Sequence, residues 1–596
     1  MPARVHYAVA PAEPRAHLFS VTCTVARPDA QGQVFQLPSW LRGSYLVRDF
    51  AKHVQGLQAR DARGPVAITR LDKRSFRCAP ARGTLTVQYQ VYAFDDSVRK
   101  AYLDTSRGFF NGSSLFYCPA GLEQAGFEVE LRRPDDALCK HWRVATTLKR
   151  KSVAKDGFGV YRAPDYETLI DHPVEMGDFE RLDFRVDGVP HALVLSGRYD
   201  LDRTRVTRDL EKICHQQRQL FRQEPKLDQY LFLTRVTGNG YGGLEHRSST
   251  ALICSRNDLP QTGVAKMSKG YHTFLGLCSH EYFHLWNVKR ITARSFLDST
   301  LASEAYTRDL WHYEGVTSYY DDLFLRRAGL LDAPTYLDLV AENATRLQRT
   351  PGRALHTLED ASFEAWIKYY QPDENSPNAT VSYYVKGGLA ALCLDLTLRL
   401  RSQCTLDEVM RELWTRYGAR GIGVPEGGLE AVAQQCSGLK LKPQFDRWLR
   451  STAELPLAEL LAEFGVEAKL RAAVSDSDGG GRVAGETPRA YVGLKLRAGD
   501  TRIAQVLKDS PAAQADISAN DQLVALDGLR ISANGWNAMS QSLQPGRAVD
   551  VQLFRGDVLL TRRLTPVAPP MDTWTLKLVE KPTAARLKRR KAWLGA

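Results

Sequence analysis

From the N-terminus to about residue 165, short runs in which apolar and polar positions alternate, such as His17–Val25, Thr84–Ala93 and Gly126–Leu131, are separated by Gly, Pro, Asp and Arg turns. A period of two is the mark of half-buried strands, so an antiparallel β domain is predicted over 1–165. Between 166 and 270 further strands, Ala192–Leu195, Gln229–Val236 and Ser249–Cys254, flank a long polar helix near Arg203–Gln223, which describes an α+β segment. From 271 to 460 apolar residues recur three and four apart, in Thr273–Trp286, Thr335–Leu347, Gly388–Arg401 and Leu406–Tyr417, and predict a helical lobe. After the Ser/Asp/Gly stretch Ser475–Gly481, short strands return, so 461–570 reads as one small β-rich module. The basic segment Lys581–Lys591 lies in a C-terminal tail, 571–596. The fold class expected is therefore multidomain α+β.

Composition narrows this picture. The chain has 596 residues, 43% hydrophobic and 25% charged, which excludes a largely disordered protein and calls for several cores. The greasiest run, Gly387–Leu400, is broken by Asp395 and Arg399, so no membrane span is expected. Glu13 and Arg15 interrupt the N-terminal segment before a signal-peptide core can form, and a cytoplasmic address is the expectation. Ten cysteines without a C-x-x-C pair argue for reduced thiols rather than a disulfide framework. The net charge of +12 is scattered and accompanies no nucleic-acid motif, so no nucleic-acid partner is expected.

The chemistry is concentrated at Ser279-His280-Glu281-Tyr282-Phe283-His284, an H-E-x-x-H sequence inside a helical pattern. Histidines four apart project from one helix face and can share a zinc ion, while Glu281 can address a water beside it. A catalytic zinc needs a third protein ligand and an open position. Glu304 and Glu314 are the candidates. Glu314 is favoured because it opens a helical stretch in which Asp321 lies seven residues on, two turns later on the same face, placed to orient a ligating histidine.

At these residues the chain resembles the gluzincin aminopeptidases, and in particular the glycyl aminopeptidase family, whose members join a thermolysin-like catalytic domain to a PDZ domain. The likeness runs through Leu37–Tyr45 with Arg48–Ala51, His280–Ile291, Trp311–Tyr320 and Asp373–Gly388. Arg42 stands where the family usually has proline, and the stretch between His284 and Glu314 is longer than in related aminopeptidases. The resemblance implies one Zn²⁺ per chain held by His280, His284 and Glu314, with Glu281 as general base and Asp321 behind a ligand.

Tyr384-Val385-Lys386-Gly387 is similar to the Tyr-x-Lys-Gly motif whose tyrosine steadies the tetrahedral intermediate; Tyr383 is the rival ring. Gly240–His246 resembles the Gly-x-Met-Glu-Asn motif, with Leu244 and His246 in place of Met and Asn. There Gly242 and Gly243 would let substrate backbone approach and Glu245 would bind the free α-amine. The C-terminal module looks like a PDZ domain. Tyr491–Leu496, with Gly493 and Leu494, would form its carboxylate-loop strand, which implies capture of a peptide C-terminus. The function expected is a zinc aminopeptidase releasing small N-terminal residues, glycine or alanine, from peptides with a free N-terminus. A thermolysin-like endopeptidase and a non-catalytic PDZ scaffold are the alternatives.

Overall fold

The computed structural model describes residues 4–222 and 225–595. The chain divides into two compact units, Met1–Tyr306 with Leu413–Pro425, and Thr307–Glu412 with Glu426–Ala596.

In the first unit an eight-stranded sheet is built around Val5–Glu13, Leu18–Val25 and Leu85–Tyr92. Burial alternates along Leu18–Val25 and Leu85–Tyr92, as the period-two pattern requires of a sheet with one face in the core. The pairing is antiparallel as expected with one exception: Val5–Val9 lies parallel to Phe127–Leu131. A second sheet of five strands runs in the order Glu180–Val186, Val189–Ser196, Tyr230–Thr237, Ser249–Ser255 and Gly242–Glu245. Its middle three strands are parallel and almost continuously apolar, the composition of strands covered on both faces. Gly242–Glu245 is added antiparallel at the edge.

Two helices lean on this sheet. Arg203–Phe221 begins at Asp202, whose carboxylate accepts from the Arg205 amide, and ends in left-handed Arg222. Gln223, where its polar pattern predicted the end, lies outside the described residues. Lys269–Phe283 begins at Ser268, whose hydroxyl accepts from the Tyr271 amide at 3.0 Å. The Gln217 amide donates to the Ser279 carbonyl (2.8 Å) and hydroxyl (3.0 Å), fixing one helix on the other.

The second unit is helical and then β-rich. A π-helical turn, Trp311–Val316, runs into the helix Thr317–Arg327, and Val385–Arg401 crosses it where Gly315 meets Gly387 backbone to backbone. Any side chain at that crossing would force the two helices apart. Beyond Ala333–Gln348 and further short helices, Val466–Ala472 pairs antiparallel with Met571–Leu578. Between those strands lies the small domain, whose core packs Val492, Ile503, Leu523, Trp536, Val551 and Leu553. The chain closes with the helix Ala584–Leu594, whose buried Trp593 donates its indole N–H to the Tyr319 hydroxyl at 3.3 Å. Among the described residues no helix is long and apolar enough to cross a membrane, and no disulfide joins any of the ten cysteines.

Candidate active site

The helix Lys269–Phe283 carries His280 and Glu281, and His284 caps its C-terminus. The two imidazoles stand edge to face with centroids 4.7 Å apart, as the i, i+4 spacing demands. His284 is buried and its Nδ1 faces the Asn287 carbonyl at 2.8 Å. A carbonyl can only accept, so Nδ1 carries the proton and Nε2 keeps its lone pair for a metal. The turn that delivers this carbonyl is strained: Val288, a β-branched residue, sits at φ 87°. Its N–H donates to the Ile291 carbonyl and that of Lys289 to the His284 carbonyl, which holds the turn closed.

Glu281 is buried against the edge strand Gly242–Glu245. A Cβ placed on Gly243 would lie 2.0 Å from Glu281 Oε1, so only glycine leaves room for the carboxylate. The Thr250 hydroxyl lies 3.4 Å from Glu281 Oε2 on the neighbouring strand. At the end of the same edge strand Glu245 is buried, and among the described residues its Oε1 has no hydrogen-bond partner. Covering it is Gly43, at φ 96°, where a Cβ would come within 2.2 Å of Glu245 Oε1. The Gly43 segment is pinned by the Trp40 indole N–H to the Ser303 carbonyl (2.7 Å), by the Ser39 amide to the Leu301 carbonyl (2.8 Å), and by the Arg48 guanidinium on the Ser44 hydroxyl (2.6 Å).

Behind Glu245, His246 is buried 3.6 Å from Asp171, which also pairs with the buried Lys289 at 2.6 Å. Burial alone would raise the Asp171 carboxyl, but Lys289 and His246 hold it well below the usual range. This network ties the strand bearing Glu245 to the segment after His284. Sequence reasoning missed the parts played by Gly43, Asp171 and Lys289; Gly43 and Lys289 fall in stretches quoted for the family likeness, which marked a place without a role.

In the second unit Glu314 is buried within the π-helical turn, a rare geometry that often marks a functional site. Asp321 follows on the helix Thr317–Arg327. Tyr384 caps the helix Val385–Arg401 in a cluster of rings: Tyr383 stacks on it at 4.8 Å, Tyr369 lies at 5.3 Å, and the Tyr370 hydroxyl is 3.4 Å from its own. Burial first, and then the negative charge of Glu314, push the Tyr384 phenol well above its usual range, so it remains a proton donor. Lys386, the lysine of the Tyr-x-Lys-Gly motif, is buried with no hydrogen-bond partner for its ammonium among the described residues, and burial lowers its pKa.

In the small domain Gly493 takes φ 77° with Ser510 directly behind it, where a Cβ would lie 2.2 Å from that of Ser510. Leu494 follows in the strand Leu494–Leu496, paired with Val506.

Among the described residues of the first unit, Glu245, Glu281 and His284 offer ligand atoms that lie within 4.8 Å of one another. His280 and His284 on one helix face, one ring already set in its metal-binding tautomer, suit zinc once a carboxylate completes the set. Glu304, the rival ligand, is exposed.

Three family models match the chain: the Peptidase M61 N-terminal domain over 6–178, the M61 glycyl aminopeptidase over 273–390, and a PDZ domain over 485–565. The crystal structure of an aminopeptidase N family protein from Idiomarina loihiensis is 39% identical, covering 99% of this chain and 100% of that one, with a TM-score of 0.95. An M1 zinc metallopeptidase from Deinococcus radiodurans is 14% identical with a TM-score of 0.46, over 76% of this chain and 93% of its own. A Clostridium perfringens protein with the provisional name of zinc metalloprotease is 28% identical over 99 residues, which are 16% of this chain and 30% of that protein.

Proposed function

Because the chain belongs to the M61 glycyl aminopeptidase family, with a C-terminal PDZ domain, and is a zinc metallopeptidase, we propose that it removes small N-terminal residues, glycine or alanine, from peptides with a free α-amine. One observation carries this reading: the carboxylates of Glu245 and Glu281 lie with His284 Nε2 or Nδ1 in one group of atoms no more than 4.8 Å apart. An extended residue spans about 3.5 Å, so a peptide amine on Glu245 leaves room for a single residue before the bond that Glu281 serves. That is the geometry of an exopeptidase. The edge strand Gly242–Glu245, opened by Gly242 and Gly243, supplies backbone groups along which the substrate would lie.

On the family likeness we assign zinc to His280, His284 and Glu314, one ion per chain, an assignment in which Glu281 moves protons and Glu245 holds the amine. Asp321, two turns after Glu314, would orient a ligand. When bound, zinc supplies a Lewis acid that polarises the scissile carbonyl and acidifies water. Glu281 then takes a water proton on its carboxylate and passes it to the leaving amine. Tyr384, kept protonated, donates its O–H to the developing oxyanion. Glu245 holds the ammonium and the closely covered Gly43 backbone limits the space around the first residue, which favours glycine and alanine. In the PDZ domain, Gly493 and Leu494 would receive a peptide C-terminus through backbone amides.

Glu281→Gln tests the assignment. The variant should keep its zinc, measured by inductively coupled plasma mass spectrometry, and lose hydrolysis of glycyl and alanyl peptides; normal turnover would remove Glu281 as the base.

A further inference from the structure

Arg99 stands beside the open edge strand. One of its terminal nitrogens donates to the Gly243 carbonyl at 3.2 Å, and the other lies 3.9 Å from where a Gly242 Cβ would be. Among the described residues its buried Nε has no hydrogen-bond partner and its guanidinium forms no ion pair. The nearest acids in its own loop are already engaged: Asp95 with Lys100 at 2.8 Å, and Asp96 with both Arg107 at 2.9 Å and Arg235 at 3.2 Å. A half-buried guanidinium presents a planar fork of donors suited to a carboxylate, and leaving it uncompensated is costly. The strand rises about 3.3 Å per residue, so Gly243 and Gly242 lie roughly 7–10 Å from Glu245 along it. An extended dipeptide or tripeptide spans about the same distance from its amine to its carboxylate.

We propose that Arg99 is a substrate-binding residue that takes the free C-terminal carboxylate of dipeptides and tripeptides, making the enzyme selective for short peptides held at both ends. The inference rests on the aminopeptidase reading, with Glu245 at the amine. The test compares Gly-Ala-Ala and Gly-Ala-Ala-Ala-Ala, each as the free acid and as the C-terminal amide, with an N-acetylated tripeptide alongside. For the tripeptide the acid should exceed the amide in kcat/KM by about tenfold, carried by KM, since a charge-assisted pair contributes to substrate binding. For the pentapeptide the ratio should be near one. Arg99→Gln should bring the tripeptide ratio close to one, and Arg99→Lys should retain part of it.

A wild-type tripeptide ratio of one, or a ratio that Arg99→Gln leaves unchanged, overturns the proposal while the aminopeptidase reading stands. Cleavage of the acetylated tripeptide as fast as the free-amine form overturns the reading, and the proposal with it. The wild-type series needs no variant, so a folding defect in Arg99→Gln would not obscure the outcome.

Discussion

Replacing Gly243 by alanine adds one methyl group at the most crowded point of the site. The new Cβ would sit 2.0 Å from Glu281 Oε1, 2.4 Å from its Cδ and 2.7 Å from its Cγ. Separations below about 3 Å are excluded by sterics, so the carboxylate or the edge strand must shift by roughly 1 Å. Retreat of Glu281 is opposed by Thr250, 3.4 Å away on the next strand. Retreat of the strand instead carries Glu245 with it, because both belong to Gly242–Glu245. Either movement separates the base from the bond it serves. A misplacement of that size costs about 10²-fold in rate, or about 2.7 kcal/mol of transition-state stabilisation. Because His280, His284 and Glu314 are untouched, zinc content should stay at the wild-type level. The assay is kcat/KM on Gly-Ala-Ala, with thermal unfolding and metal analysis on the same preparation. A variant within threefold of wild type would refute the packing argument; loss of zinc would show that the damage lies elsewhere.

Three further outcomes are expected. Tyr384→Phe removes one oxyanion donor and should lower kcat by about 10²–10³-fold with little change in KM; an equal effect from Tyr383→Phe alone would transfer the role to the rival ring. Glu245→Gln should raise KM and lower kcat for free-amine peptides, and an unchanged preference over acetylated twins would remove its role at the amine. His191, buried beneath Tyr282 with 3.0 Å between its Nε2 and the Tyr282 hydroxyl, has its pKa lowered by burial to about 4. Between the usual 6.5 and that value the unfolded chain binds a proton that the folded chain excludes. Stability is therefore full above pH 6.5 and falls by up to about 3 kcal/mol as the pH drops toward 4. Urea unfolding at pH 7.5 and 4.5 should show this loss, reduced in His191→Gln.

The regular elements were legible because each has a single strong period. Leu18–Val25, Leu85–Tyr92 and Tyr230–Thr237 fall within a residue or two of their predicted limits, as does the helix Ala333–Gln348, while Val385–Arg401 begins three residues before its predicted start. The edge strand Gly242–Glu245 was not, since glycines carry no side-chain pattern; it exists because Ser249–Ser255 offers it a partner. The π-helical turn at Glu314 and the positive φ of Val288 are likewise invisible to periodicity. They are local distortions that neighbouring packing and hydrogen bonds hold in place. Pairing of Val466–Ala472 with Met571–Leu578 spans a whole domain, and no local signal encodes such a register. At the site, the helix spacing placed His280, Glu281 and His284 on their own. The closure of Gly43 on Glu245, and the Asp171–Lys289 pair beneath it, depend on loops whose positions only the folded chain defines.

The most direct measurement is metal analysis of the purified protein coupled to hydrolysis of glycyl and alanyl peptides and their N-acetylated twins, before and after chelation. The account predicts one zinc per chain, release of one residue at a time from free-amine peptides only, loss of activity on chelation and its return with zinc. Internal cleavage of the acetylated peptides would contradict it, as would bound zinc with no cleavage of either set.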